Sequence, residues 1–394
     1  MADAALARAD EATPRLRVTV LQHAATLAGH VAAWNDLASA ALEPNVFYEP
    51  WMMLPAIDSF GGCGQLRYVL VYADPGDAPA LLCGLFPLER VARYNGLPFP
   101  HLRLWQHKHC FLGTPLVRAT HTRVCLDAFL DWLEADADGA AAMKWGVVAA
   151  DGPFWRALAE ALAESGRRSF VAYRYERAVM RPRAGGEAFL GEALSRKGAK
   201  ELQRLERRLA EAGKLQYVEL QDAAEVEQWI EDFIELEARG WKGRNSSALG
   251  SSDQGRVFFT RAARAAAHCG RLMMLGLRLA GKWIALKCNF VSGEGAFAFK
   301  IAYDEDYARF SPGTLLELEN IRRFHARPGL RWMDSCAEPG HFMANRLWPD
   351  RRGLADLVTT TGRAAGDLMV SSLPLLHWMS RTLRRAPAPA AFGS

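Results

Sequence analysis

The segment between Arg309 and Thr314 combines residue types that bind anions. It consists of Arg309, Phe310, Ser311, Pro312, Gly313 and Thr314. Gly313 permits close approach of a ligand to the backbone, Thr314 carries a hydroxyl donor, and Arg309 supplies a charge suited to a diphosphate. Because a helical pattern follows, the backbone N–H groups of the segment lie at the positive end of a helix dipole. We predict an anion site here; the alternative is an ordinary strand-to-helix connection capped by Ser311.

Two further side chains have the chemistry of a proton relay. Asp334 and His341 bracket the segment DSCAEPGH, which joins a predicted strand to a predicted helix. Histidine titrates near neutral pH, and a neighbouring aspartate can orient its ring. We predict that the pair handles a proton. The alternative makes Asp334 a turn residue at the end of a strand and His341 a polar residue at the start of a helix.

The strand before the anion segment and a loop further upstream add candidates. Lys300 and Tyr303 are separated by an odd number of positions in AFAFKIAYD, so only one of them is expected to face the cleft. Trp241 and Lys242 precede a polar stretch rich in Gly and Ser. We interpret these two as substrate-binding residues on a mobile lid; the alternative is a plain surface loop.

Metal chemistry is not indicated. His107 and His109 lie two positions apart in QHKHC, but two ligands without a third rarely hold a metal ion. The seven cysteines form no C-x-x-C pair, so neither a structural zinc site nor a disulfide framework is expected. No metal cofactor is therefore predicted.

Composition places the chain among ordinary globular proteins. Of 394 residues, 50% are hydrophobic and 23% are charged, and the length suggests about two domains. A net charge of +4 is low for a dedicated nucleic-acid-binding protein, so DNA is not expected as a partner. The N-terminus lacks an apolar leader and no run approaches the roughly 18 residues of a membrane span. We expect a cytoplasmic protein without a transmembrane segment; weak contact of its amphipathic C-terminal helix with a membrane surface is an alternative to core packing.

The elements that must position these residues follow one order twice. Apolar patterns predict a strand, two helices, three antiparallel strands, a helix, a strand, a helix and a strand, first up to residue 180 and again from residue 187. Residues 181–186, RPRAGG, are a linker by composition. We predict an α+β protein of two units, 1–180 and 187–394, each with a mixed, mostly antiparallel sheet flanked by helices. The second unit begins with one predicted amphipathic helix over residues 192–213.

With this layout, the anion segment resembles the pyrophosphate loop of the Gcn5-related N-acetyltransferases (GNAT). The matching positions are Arg309, Ser311, Gly313, Leu315 and Leu316. Residues 236–244, 299–317 and 334–352 resemble blocks of the CelD-like acetyltransferase family, whose double unit is similar to that of Fem-type aminoacyltransferases. The resemblance is strong over about 190–360 and weak over 15–180. It departs from the family pattern where Pro312 stands beside a single glycine.

The resemblance implies transfer of an acyl group, in the first instance acetyl, from coenzyme A or an acyl carrier protein to an amine. The acceptor would be a small molecule, a sugar or a polysaccharide precursor. Residues 309–314 would hold the donor, and the strand AFAFKIA would offer an unpaired N–H to the oxyanion. The catalytic candidates are Asp334, His341, Tyr303 and Lys300. The N-terminal unit, with Pro115 and Val117 where free donors are expected, is predicted not to bind the donor.

Two other functions stay open. One is a non-catalytic accessory protein of exopolysaccharide biosynthesis that keeps the loop for structural reasons. The other is a Fem-like transferase that uses aminoacyl-tRNA, which would need a larger basic surface than a net charge of +4 suggests.

Overall fold

A computed structural model describes residues 15–62, 66–74, 79–240 and 248–385 of the protein. Within these residues, 13 strands form one mixed sheet with helices on both faces, an α+β fold. We call residues 15–180 the N-terminal half and residues 186–385 the C-terminal half.

The strands follow the predicted order in both halves. Those of the N-terminal half are β1 (Arg15–Leu21), β2 (Leu66–Asp74), β3 (Leu81–Val91), β4 (His101–Leu104), β5 (Leu116–Val117), β6 (Ala142–Ala149) and β7 (Ser169–Met180). Those of the C-terminal half are β8 (Leu215–Glu219), β9 (Leu272–Leu279), β10 (Lys282–Ser292), β11 (Gly295–Tyr303), β12 (Trp332–Asp334) and β13 (Asp350–Thr360).

The helices alternate with these strands. The N-terminal half contains α1 (Val31–Ser39), α2 (Pro50–Phe60), α3 (Thr122–Asp136) and α4 (Pro153–Glu164). The C-terminal half contains α5 (Gly186–Ala193), α6 (Arg196–Ala210), α7 (Val226–Arg239), α8 (Asp253–His268), α9 (Pro312–His325), α10 (Phe342–Leu347) and α11 (Ala364–Arg385). Among the described helices, none is both long enough and apolar enough to span a bilayer.

The last strands of the two halves are exchanged. β6 pairs in parallel with β4 of its own half and antiparallel with β13 of the other half. Conversely, β12 pairs in parallel with β11 and antiparallel with β7. β7 and β13 also pair with each other along their length. The exchange therefore joins the sheets of the two units, which each unit was predicted to contain, into one continuous sheet.

One face of the sheet carries a core shared by both halves. Phe297 and Phe299 of β11 point to this face, where α1 and α2 of the N-terminal half pack with α7 and α8 of the C-terminal half. Ala296 and Ala298 alternate with them and point to the opposite face, which α5, α6, α9 and α10 cover. There α3 and α4 cover the N-terminal strands, and α11 packs over β6, β7 and β13.

The single helix predicted over residues 192–213 is wrong. The chain forms two helices, α5 and α6, which are separated at Leu194 and Ser195. Ser195 caps α6, since its Oγ accepts a hydrogen bond from the backbone N–H of Gly198 at 3.1 Å. A serine at this position satisfies a donor of the first helical turn and so favours a new helix start over continuation.

His107 and His109 lie in an aromatic cluster between the halves. His107 stacks on Phe60 of α2 with ring centroids 5.0 Å apart, and His109 stacks on Phe258 of α8 at 5.7 Å. Burial lowers the pKa of His107 to about 3 and that of His109 to about 2, with a further lowering of the latter by the charge of Lys300. Both rings are therefore neutral packing groups at neutral pH.

These two histidines predict that the protein is destabilised by mild acid. Below about pH 6.5 the unfolded chain protonates both rings whereas the folded chain does not. The unfolded state therefore binds more protons, and the free energy of unfolding decreases as the pH is lowered. At pH 5.5 each ring should lower the free energy of unfolding by roughly 1 kcal/mol. Urea unfolding at pH 7.5 and 5.5 measures the loss, which His109→Phe should reduce. His268→Phe, at an exposed position, is the control, and an equal acid loss in both variants would contradict the prediction.

Candidate functional site

β12 pairs with β11 over its whole length, but this covers only the start of β11. Their parallel pairing extends from Gly295 and Trp332 to Phe297 and Asp334, whereas β11 continues to Tyr303. On its other edge β11 has an irregular register against β10, of the bulged kind that redirects side chains near functional sites. The separation of the strands leaves an opening in the sheet beside the second part of β11.

A cavity of about 360 Å³, here called the outer cavity, lies at this opening. Its walls are the start of α9, the end of β11, the end of α7 and the start of α10. The volume falls in the usual range for small-molecule sites. Residues 311–314 of the predicted anion segment and two predicted catalytic residues, Tyr303 and His341, are thus brought to the same cavity, whose lining includes neither Arg309 nor Phe310.

The start of α9 is strained and uncapped. Ser311 adopts the left-handed conformation with φ 54° and ψ 50°, which is rare for a residue other than glycine. Its side chain does not cap the helix, so the alternative of an ordinary serine cap is wrong. Pro312 opens α9 without an amide hydrogen. Gly313 therefore offers the first N–H of the helix, and no described backbone group accepts from it.

The other residues of the segment surround this N–H. Thr314 lines the outer cavity, while its backbone N–H bonds to the carbonyl of Ser311 at 2.9 Å. Arg309 is exposed and pairs with no acidic residue in the described part of the chain. Its guanidinium lies 4.8 Å from the ring centroid of Phe310, which is buried under α9. A free cation is therefore held next to the uncapped helix start.

Lys300 and Tyr303 point to opposite faces of β11. Tyr303 packs toward α9 and lines the outer cavity. The Nζ of Lys300 lies 3.3 Å from Oε1 of Glu237 in α7, and the other oxygen of Glu237 accepts from the N–H of Leu249 at 2.8 Å. The two side chains lie on opposite faces, as their spacing predicts: Tyr303 lines the outer cavity, whereas Lys300 lines a second cavity.

His341 caps α10 through one ring nitrogen. Its Nδ1 accepts a hydrogen bond from the backbone N–H of Ala344 at 3.2 Å. Because a backbone N–H can only donate, Nδ1 must present a lone pair, and the proton of the neutral ring is on Nε2. The ring therefore offers a donor at Nε2, where a general base would need a lone pair.

Asp334 does not contact His341 as predicted. Its carboxylate is completely buried and pairs with Arg177 of β7, with Nε at 2.6 Å and Nη2 at 2.7 Å. Arg352 of β13 donates at 3.2 Å and the backbone N–H of Cys336 at 2.9 Å. Burial alone would raise the pKa of Asp334, but the two guanidinium charges outweigh it and hold the pKa below its usual value. The predicted contact between Asp334 and His341 is wrong, because the carboxylate binds the two arginines and the N–H of Cys336 instead.

A second cavity of about 240 Å³, here called the inner chamber, continues from the outer cavity. The two share Ile301, His341 and Met343 in their walls. The inner chamber is also lined by a buried ion pair, in which Nζ of Lys287 lies 2.8 Å from Oε2 of Glu317. The cavities therefore form one path past the edge of β11.

The residues of the inner chamber that were not predicted include Lys287, Glu317, Phe111 and Trp348. A lone charge in an apolar run was an available signal for the first two, since Lys287 interrupts WIALKCNF and Glu317 stands among leucines. Phe111 comes from the other half of the chain and carries no such signal.

Trp348 points to a missing ligand atom. Its Nε1–H is buried and has no acceptor among the described residues. Leaving such a donor unsatisfied costs about 1–3 kcal/mol. A carbonyl oxygen of a molecule in the chamber would be a suitable acceptor.

The predictions for the upstream loop and for the C-terminal helix stay predictions. Trp241 and Lys242 lie outside the described residues. Within the residues that the structure does describe, no three His, Cys, Asp or Glu side chains are grouped as metal ligands would be. α11 exposes Leu368, Leu375 and Trp378, and its contact with a membrane surface stays a prediction.

A family model described as acetyltransferase (GNAT) domain matches residues 196–342. This match spans α6 to the first residue of α10 and includes the whole anion segment. No curated protein sequence matches the chain significantly. The CelD-like assignment stays a prediction.

Solved structures are similar to the chain in fold. The crystal structure of FemX aligns with a TM-score of 0.54 at 10% identity, over 84% of this chain and 95% of that one. A conserved protein of unknown function from Bacteroides thetaiotaomicron VPI-5482 aligns with a TM-score of 0.52 at 13% identity, over 87% of this chain and 99% of that one. A tandem GNAT protein from the clavulanic acid biosynthesis pathway aligns with a TM-score of 0.43 at 15% identity, over 89% of this chain and 100% of that one.

The contacts of Asp334 predict a structural role for it. Asp334→Asn should lower the free energy of unfolding by about 3–5 kcal/mol, because it leaves buried Arg177 without its counter-charge and Arg352 with Glu43 alone. Urea unfolding measures the change. The control is Asp350→Asn, whose 3.0 Å pair with Arg183 is partly exposed, with an expected loss of at most about 1 kcal/mol. Equal stability of both variants would contradict this role.

Proposed function

Because the chain is an acyltransferase with a GNAT domain at residues 196–342, we propose that it moves an acyl group from acyl-coenzyme A to an amine. The acceptor that we favour is a small molecule, a sugar or a polysaccharide precursor, as the CelD-like resemblance implies. In the reaction the amine nitrogen attacks the thioester carbon and forms the amide bond, the C–S bond breaks, and the proton that the amine loses passes to the leaving thiolate or to solvent.

One observation carries the proposal: the strained, uncapped start of α9 opens into a cavity that continues through the sheet. The N–H of Gly313 and the positive end of the α9 dipole favour a phosphate group. The unpaired cation of Arg309 adds a charge-assisted contact. A strained non-glycine residue such as Ser311 is typical of ligand-binding loops.

The basic face of α6 supports an anionic donor at this place. Leu202 and Leu209 pack α6 into the same core as Phe310, so the helix lies beside the anion segment. Its exposed cations without a described ion-pair partner are Arg196, Lys197, Lys200, Arg207 and Arg208. Together they place positive charge near the mouth of the outer cavity and favour approach of a polyanionic molecule.

Two features of the opening suit the chemistry of a thioester. Beyond Phe297 no described strand pairs with β11 on the side of β12, so this edge of β11 carries backbone donors that lie outside the ladder with β12. Such donors can stabilise the negative charge that develops on the carbonyl oxygen. His341 lies where the two cavities meet, and its Nε2–H can donate to charge on oxygen or sulfur.

The N-terminal half lacks an equivalent opening, in support of our proposal that it does not bind the donor. There the corresponding parallel strands are β4 and β6. A Cβ added to Gly113 would lie 2.1 Å from the carbonyl oxygen of Gly146 and 2.7 Å from Nε2 of Gln106. The backbone of Gly146 and the side chain of Gln106 therefore fill the space beside Gly113.

Changes in the anion segment should weaken donor binding without unfolding the protein. Arg309→Ala removes a charged hydrogen bond worth roughly 1.5–3 kcal/mol, so the Kd for coenzyme A should rise about ten- to a hundredfold. Gly313→Val should have a similar effect, because an added Cβ fits 3.4 Å from Cδ1 of Tyr303 and a larger side chain extends into the cavity. Isothermal titration calorimetry measures both.

The matched control for Arg309 is Arg331→Ala, since Arg331 is also exposed and has no described ion pair. It should keep the wild-type Kd. If Arg309→Ala and Gly313→Val also keep it, with unchanged circular dichroism, the phosphates bind elsewhere.

The role of His341 can be separated from helix capping. Asparagine is a good N-cap residue, so His341→Asn should keep α10 while removing Nε2, whereas His341→Ala removes both. We expect both variants to lose about a hundredfold or more in turnover, followed by release of the coenzyme A thiol with a panel of amines. Full activity of His341→Asn would mean that the ring acts only as a cap and that another group donates to the developing charge.

A further inference from the structure

The inner chamber has one wall residue from the other half. Phe111 precedes β5 in the N-terminal half, yet it lines the chamber together with Phe299 and Lys300 of β11. The chamber shares Ile301, His341 and Met343 with the outer cavity. Phe111 lines only the inner chamber, so it lies away from the side on which the donor would enter.

We propose that the inner chamber holds the acyl group of the donor and that Phe111 sets the longest acyl chain that the protein accepts. This inference rests on the proposed acyl transfer. It assigns to the N-terminal half a part in specificity, although that half has no donor site of its own.

Phe111 is fixed from three sides. Its ring makes edge contacts with Phe47 at 5.7 Å and Phe299 at 5.8 Å between centroids. Its carbonyl oxygen accepts a hydrogen bond from Nη1 of Arg177 at 2.7 Å. Because Arg177 also holds Asp334, the position of the ring is coupled to the turn after β12 and is a rigid stop.

The chamber is suited to an uncharged chain longer than acetyl. Its volume of about 240 Å³ corresponds to about eight water molecules at roughly 30 Å³ each, so an acetyl group would leave most of it empty. The ammonium groups of Lys287 and Lys300 are already paired with Glu317 and Glu237. Phe111, Phe299 and Trp348 provide apolar surface between these pairs.

The test is a binding series that needs no acceptor. Calorimetry gives the Kd of coenzyme A and of its acetyl, butanoyl, hexanoyl, octanoyl and decanoyl thioesters for the wild type and for Phe111→Ala. Each methylene buried in the chamber should tighten binding about fourfold, until the chain reaches Phe111 and affinity falls. In Phe111→Ala this break should move to a chain at least two carbons longer, with unchanged affinity for free coenzyme A.

Two variants keep the result interpretable. Phe60→Ala removes a partly buried ring from the neighbouring aromatic cluster but not from the chamber. The acyl chain length at which its affinity begins to fall should match that of the wild type. Phe111→Leu is a milder truncation in case Phe111→Ala fails to fold, and it should shift the break in the same direction by less.

The outcomes distinguish this inference from the proposed function. If the wild type binds coenzyme A but Phe111 variants keep its chain-length profile, the role of Phe111 is wrong and acyl transfer stands. If the wild type binds neither coenzyme A nor any thioester, the proposed function fails and this inference with it.

Discussion

The buried contact of Asp334 with Arg177 and Arg352 is the constraint on which the site depends. It lies where β7, β12 and β13 meet, and its two cations come from strands that are exchanged between the halves. A completely buried carboxylate is tolerated only with such compensation. The same carboxylate holds the N–H of Cys336, a residue with a positive φ of 53°. It therefore fixes the strained turn that lines the inner chamber.

The exchange of β7 and β13 makes the two halves depend on each other for their packing. α2 and α8, which belong to different halves, pack together in the shared core. Arg177 of β7 also holds the carbonyl of Phe111, so the N-terminal half supplies both a wall of the chamber and the charge that stabilises its rim. Neither half can bury its own apolar face alone. Function in one half thus depends on packing against the other.

Sequence reasoning succeeded where the determinants are local. The strand, the anion segment and the helix from Phe299 to Arg323 are set by hydrophobic periodicity and by turn residues, which a single sequence displays. It failed where partners are distant in sequence. Arg177 is 157 residues from Asp334, and nothing near either residue indicates their contact. The continuous sheet was missed for the same reason, because strand exchange leaves the order of elements unchanged.

The departure of the anion segment from its family pattern has a physical consequence. With Pro312 in place of a glycine, one backbone donor is lost at the start of α9, and Thr314 N–H is used by Ser311. Gly313 alone then offers a backbone N–H, so more of the attraction for a diphosphate must come from Arg309, the helix dipole and the cations of α6. Charges at exposed positions act at longer range than hydrogen bonds but are screened by salt. In the proposed donor site the loop thus trades directional contacts for electrostatic attraction, and Ser311 keeps its left-handed conformation although a following proline favours extended backbone.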